Sequence, residues 1–233
     1  MTRQIVLDTE TTGLSWEKGN RVVEIGCVEL VQRRPTGRQF QRYLNPGREM
    51  EAGAIEVTGL TSEFLADKPR FAEVVDEFLA FIDGAELVIH NAAFDIGFLD
   101  YELSLLGRGH ARLAERCAVV DSLELARQRF PGQRNSLDAL CKRLGVDNTQ
   151  RTLHGALLDA QLLSEAYLNL TAGQGDLGFD AVAAAVETTR TIVVAVHPRK
   201  VLLAGAEELA AHVARLARIA SASGGRCLWP ADA

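Results

Sequence analysis

Long apolar runs are missing from this sequence: none approaches the roughly 20 residues that a membrane-spanning helix needs. Met1-Thr2-Arg3 leads straight into Ile5-Val6-Leu7, so no secretory signal segment is expected. Cysteine is scarce, with Cys27, Cys117, Cys141 and Cys227 scattered and no Cys-x-x-Cys pair. That spacing excludes a zinc ribbon or disulfide framework and fits the reduced thiols of a cytoplasmic protein. Excess positive charge is also absent: 25 Lys and Arg face 31 Asp and Glu, for a net charge of −6. Gripping nucleic acid by bulk electrostatics takes clustered cations. A nucleic-acid substrate would therefore need a local grip or a partner to deliver it. No internal repeat or low-complexity segment is evident. What is present is ordinary for a globular chain: 47% hydrophobic and 24% charged residues over 233 positions. This is enough for one α/β domain plus an appendage or small second domain.

The informative stretch is Ile5-Val6-Leu7-Asp8-Thr9-Glu10-Thr11-Thr12-Gly13. Ile5 to Leu7 reads as a short buried strand, and Gly13 marks a turn. Residues two apart on a strand share a face, so Asp8 and Glu10 can converge. Paired carboxylates repel unless a positive charge lies between them, and hard divalent cations prefer oxygen ligands. The plain alternative is a polar strand end, and for an isolated Asp-x-Glu it is the better one.

Along the chain, Arg21–Val31 reads as a long strand, Arg33–Gly37 as a turn and Gln39–Leu44 as a returning strand, an antiparallel hairpin beside the first strand. Residues 48–66 read as loop with a short helical piece. Phe71, Val74, Val75, Phe78 and Leu79 follow the amphipathic helical spacing, up to Gly84. Glu86–His90 is a buried strand, Phe94–Leu106 a helix, and Cys117–Val120 a strand. Asp121 caps a helix to Phe130, Asn135-Ser136 a helix to Leu144, and the last helix of this part spans Gly155–Leu170. Antiparallel strands followed by alternating strands and helices imply an α/β fold, a mixed sheet flanked by helices. From Thr171 a Gly-rich run suggests a flexible linker, which places a boundary near 171. Beyond it, 181–189 reads as helical and 192–196 as a strand. Leu209, Val213, Leu216 and Ala220 mark one more amphipathic helix.

Two further carboxylates matter. Asp95 in Asn91-Ala92-Ala93-Phe94-Asp95 sits near a helix N-terminus, where alone it reads as a cap. Asp159 in His154-Gly155-Ala156-Leu157-Leu158-Asp159 lies on an otherwise apolar helix, and burying it needs a counter-charge that a metal would supply. Taken alone, His154 reads as a loop histidine. His90 reads as a satisfied strand-end histidine and Asp121 as a cap. Arg127, Arg129, Arg134, Lys142, Arg143 and Arg151 read as a modest basic rim.

Asp8-Thr-Glu10-Thr-Thr-Gly, Asn91-x-x-Phe-Asp95 and His154-x-x-x-x-Asp159, in this order, resemble the three motifs of the DEDDh family of 3′→5′ exonucleases. Leu87–Phe98, Arg134–Cys141, Arg151–Gln161 and the ending Gly224-Gly225-Arg226-Cys227-Leu228-Trp229 resemble the proofreading members that serve bacterial replicative polymerases. The resemblance covers nearly the whole chain, least clearly 172–205. It implies a ribonuclease H-like fold over 1–171, a flexible linker over 172–190 and a C-terminal docking segment over 191–233. It implies two divalent cations, Mg²⁺ or Mn²⁺, held by Asp8, Glu10, Asp95 and Asp159, with His154 as general base and nucleoside 5′-monophosphates as products. By the same resemblance Thr11, Thr12 and Leu14 line the terminal-nucleotide pocket, and Asn91 and Phe94 contact the neighbouring nucleotide.

The substrate so implied is the single-stranded 3′ end of DNA. The implied partner is the polymerase catalytic (alpha) subunit, reached through the C-terminal segment and Trp229; the alternative is that Trp229 folds back on the catalytic domain. Gln174, Leu177 and Phe179 resemble a peptide that docks on the sliding clamp, against the alternative of an ordinary linker. A small accessory subunit is a further candidate partner. Two rivals stand beside this reading: a free-standing enzyme trimming RNA ends, which has no need of the appendage after 171, and a catalytically dead scaffold, which the full set of five site residues argues against.

Overall fold

The computed structural model describes residues 2–107, 109–172 and 204–225. The chain divides into two units, Met1–Leu177 and Gly178–Ala233. In the first, β1 (Arg3–Thr11) is the middle strand of five. It pairs antiparallel with β2 (Val22–Val31), which pairs antiparallel with the edge strand β3 (Arg34–Tyr43). On its other side it pairs parallel with β4 (Glu86–Ile89), and β4 with β5 (Val119–Asp121), giving the order β3-β2-β1-β4-β5. The helices are α1 (Ala52–Thr58), α2 (Ser62–Leu65), α3 (Phe71–Ile82), α4 (Ala92–Leu105), α5 (Leu113–Arg116), α6 (Ser122–Arg129), α7 (Leu137–Leu144) and α8 (Ala156–Leu170). The second unit contributes α9 (Ala206–Ala222). This is the expected mixed sheet flanked by helices.

Both faces of the sheet are covered, which is why β1 and β2 read as nearly unbroken apolar runs. Ile5, Leu7, Ile25 and Cys27 pack on one face against Phe71, Val75 and Phe78 of α3 and Phe98 and Leu99 of α4. Val6, Val28 and Val88 pack on the other against Ala126 of α6, Leu140 of α7 and Leu163 of α8. The period of two then sends Asp8 and Glu10 to the Val6 side, toward α8, and Thr9 to the α4 side. Beyond Val6 the ladder to β4 has ended, so β1 projects past its parallel neighbour. A register shift between Glu10 and Thr11 kinks its ladder to β2, which resumes with Thr11 opposite Val22.

Several boundaries differ from the sequence expectation. The hairpin turns at Gln32-Arg33, both left-handed (φ 50° and 62°), and not over 33–37. Pro35 and Gly37 sit inside β3, tolerated because an edge strand leaves one side of its ladder unpaired. β5 starts two residues later than expected, and α4 two earlier, at Ala92. The 3₁₀ turn at Trp16–Lys18 and the one-turn α5 were not expected, being too short to show a period. Cys27, Cys117 and Cys141 are free thiols, all buried. The expected linker beyond Ala172, the helix at 181–189 and the strand at 192–196 lie outside the described residues, as does Cys227. No helix among the described residues is long and apolar enough to cross a membrane.

Buried carboxylates hold the layers in place. Glu102 on α4, 1% exposed, takes both Arg21 Nε (2.7 Å) and Nη2 (2.6 Å) and also accepts from the Val22 amide. Glu24 on β2 accepts from the Ala156 amide at the start of α8 (3.0 Å) and from Gln41 Nε2 (2.8 Å). Beside it, Gly26 lets α8 lie directly on the strand: a Cβ there would come within 2.2 Å of Ala156 C and Leu157 N. α8 is therefore seated main chain against main chain, one register position across from Asp8.

Candidate active site

Four carboxylates expected from the motifs converge where β1 ends. Asp8 and Glu10 extend from β1 toward α8. Asp95, in the first turn of α4, is held from below: its Oδ1 accepts from the Thr9 amide (3.0 Å) and the Thr9 hydroxyl (2.7 Å). Asp159, in the first turn of α8, faces Glu10 because Gly26 and Glu24 seat that turn on β2. Asp95 and Asp159 are both 3% exposed.

So much negative charge in a dry place is unfavourable, and the ionisation shows it. Burial first, then Asp159, Glu24 and Asp95, push Glu10 up to about 8, with Arg151 pulling the other way. Asp8 is raised well above the carboxylate range by burial and by Asp95, Glu10 and Asp159, again opposed by Arg151. Asp95 rises to about 7 through burial, against the lowering effect of its bonds from Thr9. Glu10 Oε1 is buried with no hydrogen-bond partner. Donor atoms of Glu10, His154 and Asp159 lie within 4.8 Å of one another. Asp8 and Asp95 are not in that triangle and are tied to it by Coulomb coupling. An orphaned carboxylate oxygen among oxygen-rich donors fits a hard divalent cation.

His154 stands at the open side, its ring 45% exposed and its Nδ1 3.4 Å from Asp159 Oδ2. Its amide is tied to Val57 O of α1 (3.0 Å). Arg151 was expected only on a basic rim, yet it lies inside the site. Its Nε and Nη2 donate to the two oxygens of Asp159 (2.5 and 2.6 Å), Nη1 to Asp138 (2.7 Å), and Nη2 also to His154 Nδ1 (2.9 Å). Its pKa rises despite burial because of Asp159 and Asp138. The sequence held one signal for this role: a cation in the loop just before a buried aspartate, which is a ready counter-charge.

Next to the carboxylates is a cavity of about 310 Å³, lined by Glu10, Thr11, Leu14, Glu51, Val57 and Phe94 among others. Leu14, 84% exposed, and Phe94 supply apolar walls. The Thr11 hydroxyl is bonded to Gly13 O (2.7 Å). Thr12 does not line the cavity: it is fully buried, with its hydroxyl shared between Asn20 Oδ1 (2.9 Å) and the Arg21 amide (3.0 Å). Asn91 lines a different cleft from Phe94, with His90, Arg127 and Asn135. Its left-handed backbone (φ 66°) turns the chain into α4. His90 Nδ1 meets Ser122 Oγ (2.9 Å), and burial lowers its pKa. Asp121 caps α6 and also takes the Asn91 and Ala92 amides, so it stays structural. Glu51, Val57 and Thr58 of the cavity were not anticipated; they fall in the stretch read as loop. Gln174, Leu177, Phe179 and Trp229 lie outside the described residues.

A mixed sheet whose middle strand ends in two carboxylates, completed by one from each flanking helix layer, defines a nuclease, and the chain belongs to the exonuclease family, whose model matches residues 5–167. It is 52% identical over 240 residues to DNA polymerase III subunit epsilon of Escherichia coli (strain K12), covering 99% of this chain and 98% of that protein. It is 49% identical over 238 residues to the same subunit of Pasteurella multocida (strain Pm70), covering 98% and 93%. Among solved structures, the fold matches the nuclease domain of 3'hExo, a DEDDh family member, bound to rAMP, with a TM-score of 0.62, 18% identity, and 72% of this chain and 90% of that one covered. Exonuclease X in complex with 5' overhanging duplex DNA matches with a TM-score of 0.56, 24% identity and the same coverage. This chain is a 3′→5′ exonuclease, a hydrolase homologous to the epsilon subunit.

Proposed function

We propose that this chain proofreads for a replicative DNA polymerase in the cytoplasm, removing mispaired 3′-terminal nucleotides one at a time by hydrolysis that depends on two divalent cations. The observation that carries it is Glu10: a buried carboxylate, raised to about 8, with one oxygen lacking any donor. Asp8, Glu10, Asp95 and Asp159 would hold the ions, Mg²⁺ or Mn²⁺, which when bound supply the positive charge that stabilises the phosphoryl transition state and acidifies water. Water attacks the terminal phosphodiester, the bond to the 3′-oxygen of the preceding nucleotide breaks, and a 5′-monophosphate leaves. His154 takes the proton from that water, a task suited to an imidazole near neutral pH. Leu14 packs on the terminal base and Phe94 on its neighbour, against faces that every base offers, so no sequence is read. A cavity of about 310 Å³ suits a single nucleotide.

The net charge of −6 is compatible with this task if the enzyme is tethered. A tether to the polymerase raises the local concentration of DNA ends and removes the need for a strong grip. The tether assigned here is 191–233, docking on the polymerase catalytic (alpha) subunit. It is supported by α9, on which Leu209, Val213 and Ile219 are exposed. Trp229 adds an aromatic anchor of the kind that dominates interfaces. Gln174, Leu177 and Phe179 of the linker would engage the sliding clamp, and a small accessory subunit would bind the catalytic domain.

The test is cleavage of a single-stranded oligonucleotide with Mg²⁺ or Mn²⁺ and with chelator, with the product identified. Stepwise loss of 5′-mononucleotides only with metal, by residues 1–171 as well as the full chain, is expected. Metal-independent or internal cleavage would overturn the reading. Trp229→Ala, deletion of 206–233 and the Gln174, Leu177 and Phe179 triple alanine variant should weaken polymerase or clamp binding without slowing oligonucleotide cleavage.

A further inference from the structure

Arg151 is the cation the site already owns. Its side chain is only 7% exposed, and it grips Asp159 through two nitrogens, at 2.5 and 2.6 Å. The same Nη2 reaches His154 Nδ1 at 2.9 Å. A guanidinium has only donors, so Nδ1 must be the acceptor and the proton of the neutral ring sits on Nε2. In this arrangement the Nδ1 lone pair is spent on Arg151, and Nε2 carries a proton that prevents it from accepting another. A base so placed cannot collect a proton from water. Asp159 is likewise engaged at both oxygens, and a divalent cation arriving there meets the guanidinium's charge. The third arm of Arg151 offers an exit. Nη1 donates to Asp138 (2.7 Å), whose side chain is 59% exposed, lies in the first turn of α7 and is not one of the four site carboxylates.

We propose that Arg151 is a positioning residue that competes with the metal for Asp159 and holds His154 idle, so that loading of the cation sends Arg151 to Asp138 and frees the imidazole. The idea rests on the metal-dependent reading of the site given above. It couples metal occupancy to the readiness of the base: the chain does not expose an active general base until Asp159 has its cation.

The test is Mn²⁺ binding to the full chain by calorimetry, with Arg151→Met, Asp138→Asn and the double variant. Removing the competitor should tighten binding by at least the roughly fivefold typical of a coupling between sites, whereas removing its exit seat should weaken it. In the Arg151→Met background Asp138→Asn should change nothing; a mere loss of one negative charge would act equally in both backgrounds. Nitrogen-15 NMR of the His154 ring in the wild type should show a shift of Nδ1 on addition of Mg²⁺. No Mn²⁺ binding to the wild type would overturn both this inference and the metal-dependent reading. Binding by the wild type, with folded Arg151→Met unchanged or weaker, overturns this inference alone. Should Arg151→Met not fold, an unmoved Nδ1 signal, or Asp138→Asn binding Mn²⁺ as well as the wild type, overturns it equally.

Discussion

Removing divalent ions should make the stability of this protein depend on pH in an unusual direction. Glu10 is the clearest contributor, rising from 4.5 to about 8. Between those values the folded chain holds a proton that the unfolded chain has released. Its stabilising contribution is therefore complete below about 4.5 and is lost as pH rises through about 8. Integrating between pH 8 and pH 6 gives about 2 kcal/mol in favour of pH 6 from Glu10 alone. Asp8 and Asp95 act in the same direction. His90, whose pKa burial lowers, opposes them. For a chain of this size 1 kcal/mol moves the melting temperature by roughly 2–4 °C, so in excess chelator the protein should melt about 4 °C higher at pH 6 than at pH 8. Saturating Mg²⁺ should shrink or invert the difference, because ions hold the carboxylates ionised and bind better as protons leave. Calorimetric melts at the two pH values, with and without metal, decide it. A melting temperature in chelator that is flat or rises toward pH 8 would refute the electrostatic account, as would an unchanged slope in Glu10→Gln.

His154→Ala should lower kcat at least about 10²-fold while leaving Mn²⁺ affinity within a few-fold; near-normal turnover would remove His154 from the mechanism. Gly26→Ala drives a methyl into the backbone of Ala156 and Leu157, so it should cost about 1–3 kcal/mol in a urea melt and more than about tenfold in activity. Full activity in that variant would mean that this contact does not fix α8. Glu102→Ala strands Arg21 and the Val22 amide and should cost about 3 kcal/mol by the same melt, with a loss under 1 kcal/mol counting against a structural role for the pair.

Much of the candidate site was legible because its residues fall in three short motifs, none decisive alone, whose order carries the family resemblance. Asp8 and Glu10 follow an apolar strand core, Asp95 opens a helix after a strand, and Asp159 is a charge on an apolar helix. Each signal fits within about ten residues. What escaped depends on contacts between distant segments. Thr12 looks like a pocket residue beside Thr11, but its hydroxyl is consumed by Asn20 and Arg21 across the turn. Asn91 and Phe94 lie three apart at the start of one helix, yet they face different clefts because Asn91 adopts a left-handed backbone. Arg151 resembles its neighbours Arg134 and Arg143 in composition, and only its position over Asp159 distinguishes it. In the hairpin, Pro35 and Gly37 gave a false turn because edge strands accept residues that inner strands refuse.

The seat of α8 on Gly26 has a consequence for how this protein can change over generations. Substitutions in an apolar core shift neighbours by tenths of an ångström as side chains repack, and such drift usually spreads. Here the span from Asp8 to Asp159 crosses a joint where, at Gly26, the main chain of β2 meets the main chain of α8 directly, beside the packing of Val6 and Val28 on Leu163. Exchanges of Val, Leu and Ile on the α3 and α4 face of the sheet therefore reach the gauge between those two carboxylates only through the strands. The freedom stops at one position. Any residue larger than glycine at 26 changes the gauge itself, so the tolerance of the surrounding core depends on the invariance of that single site.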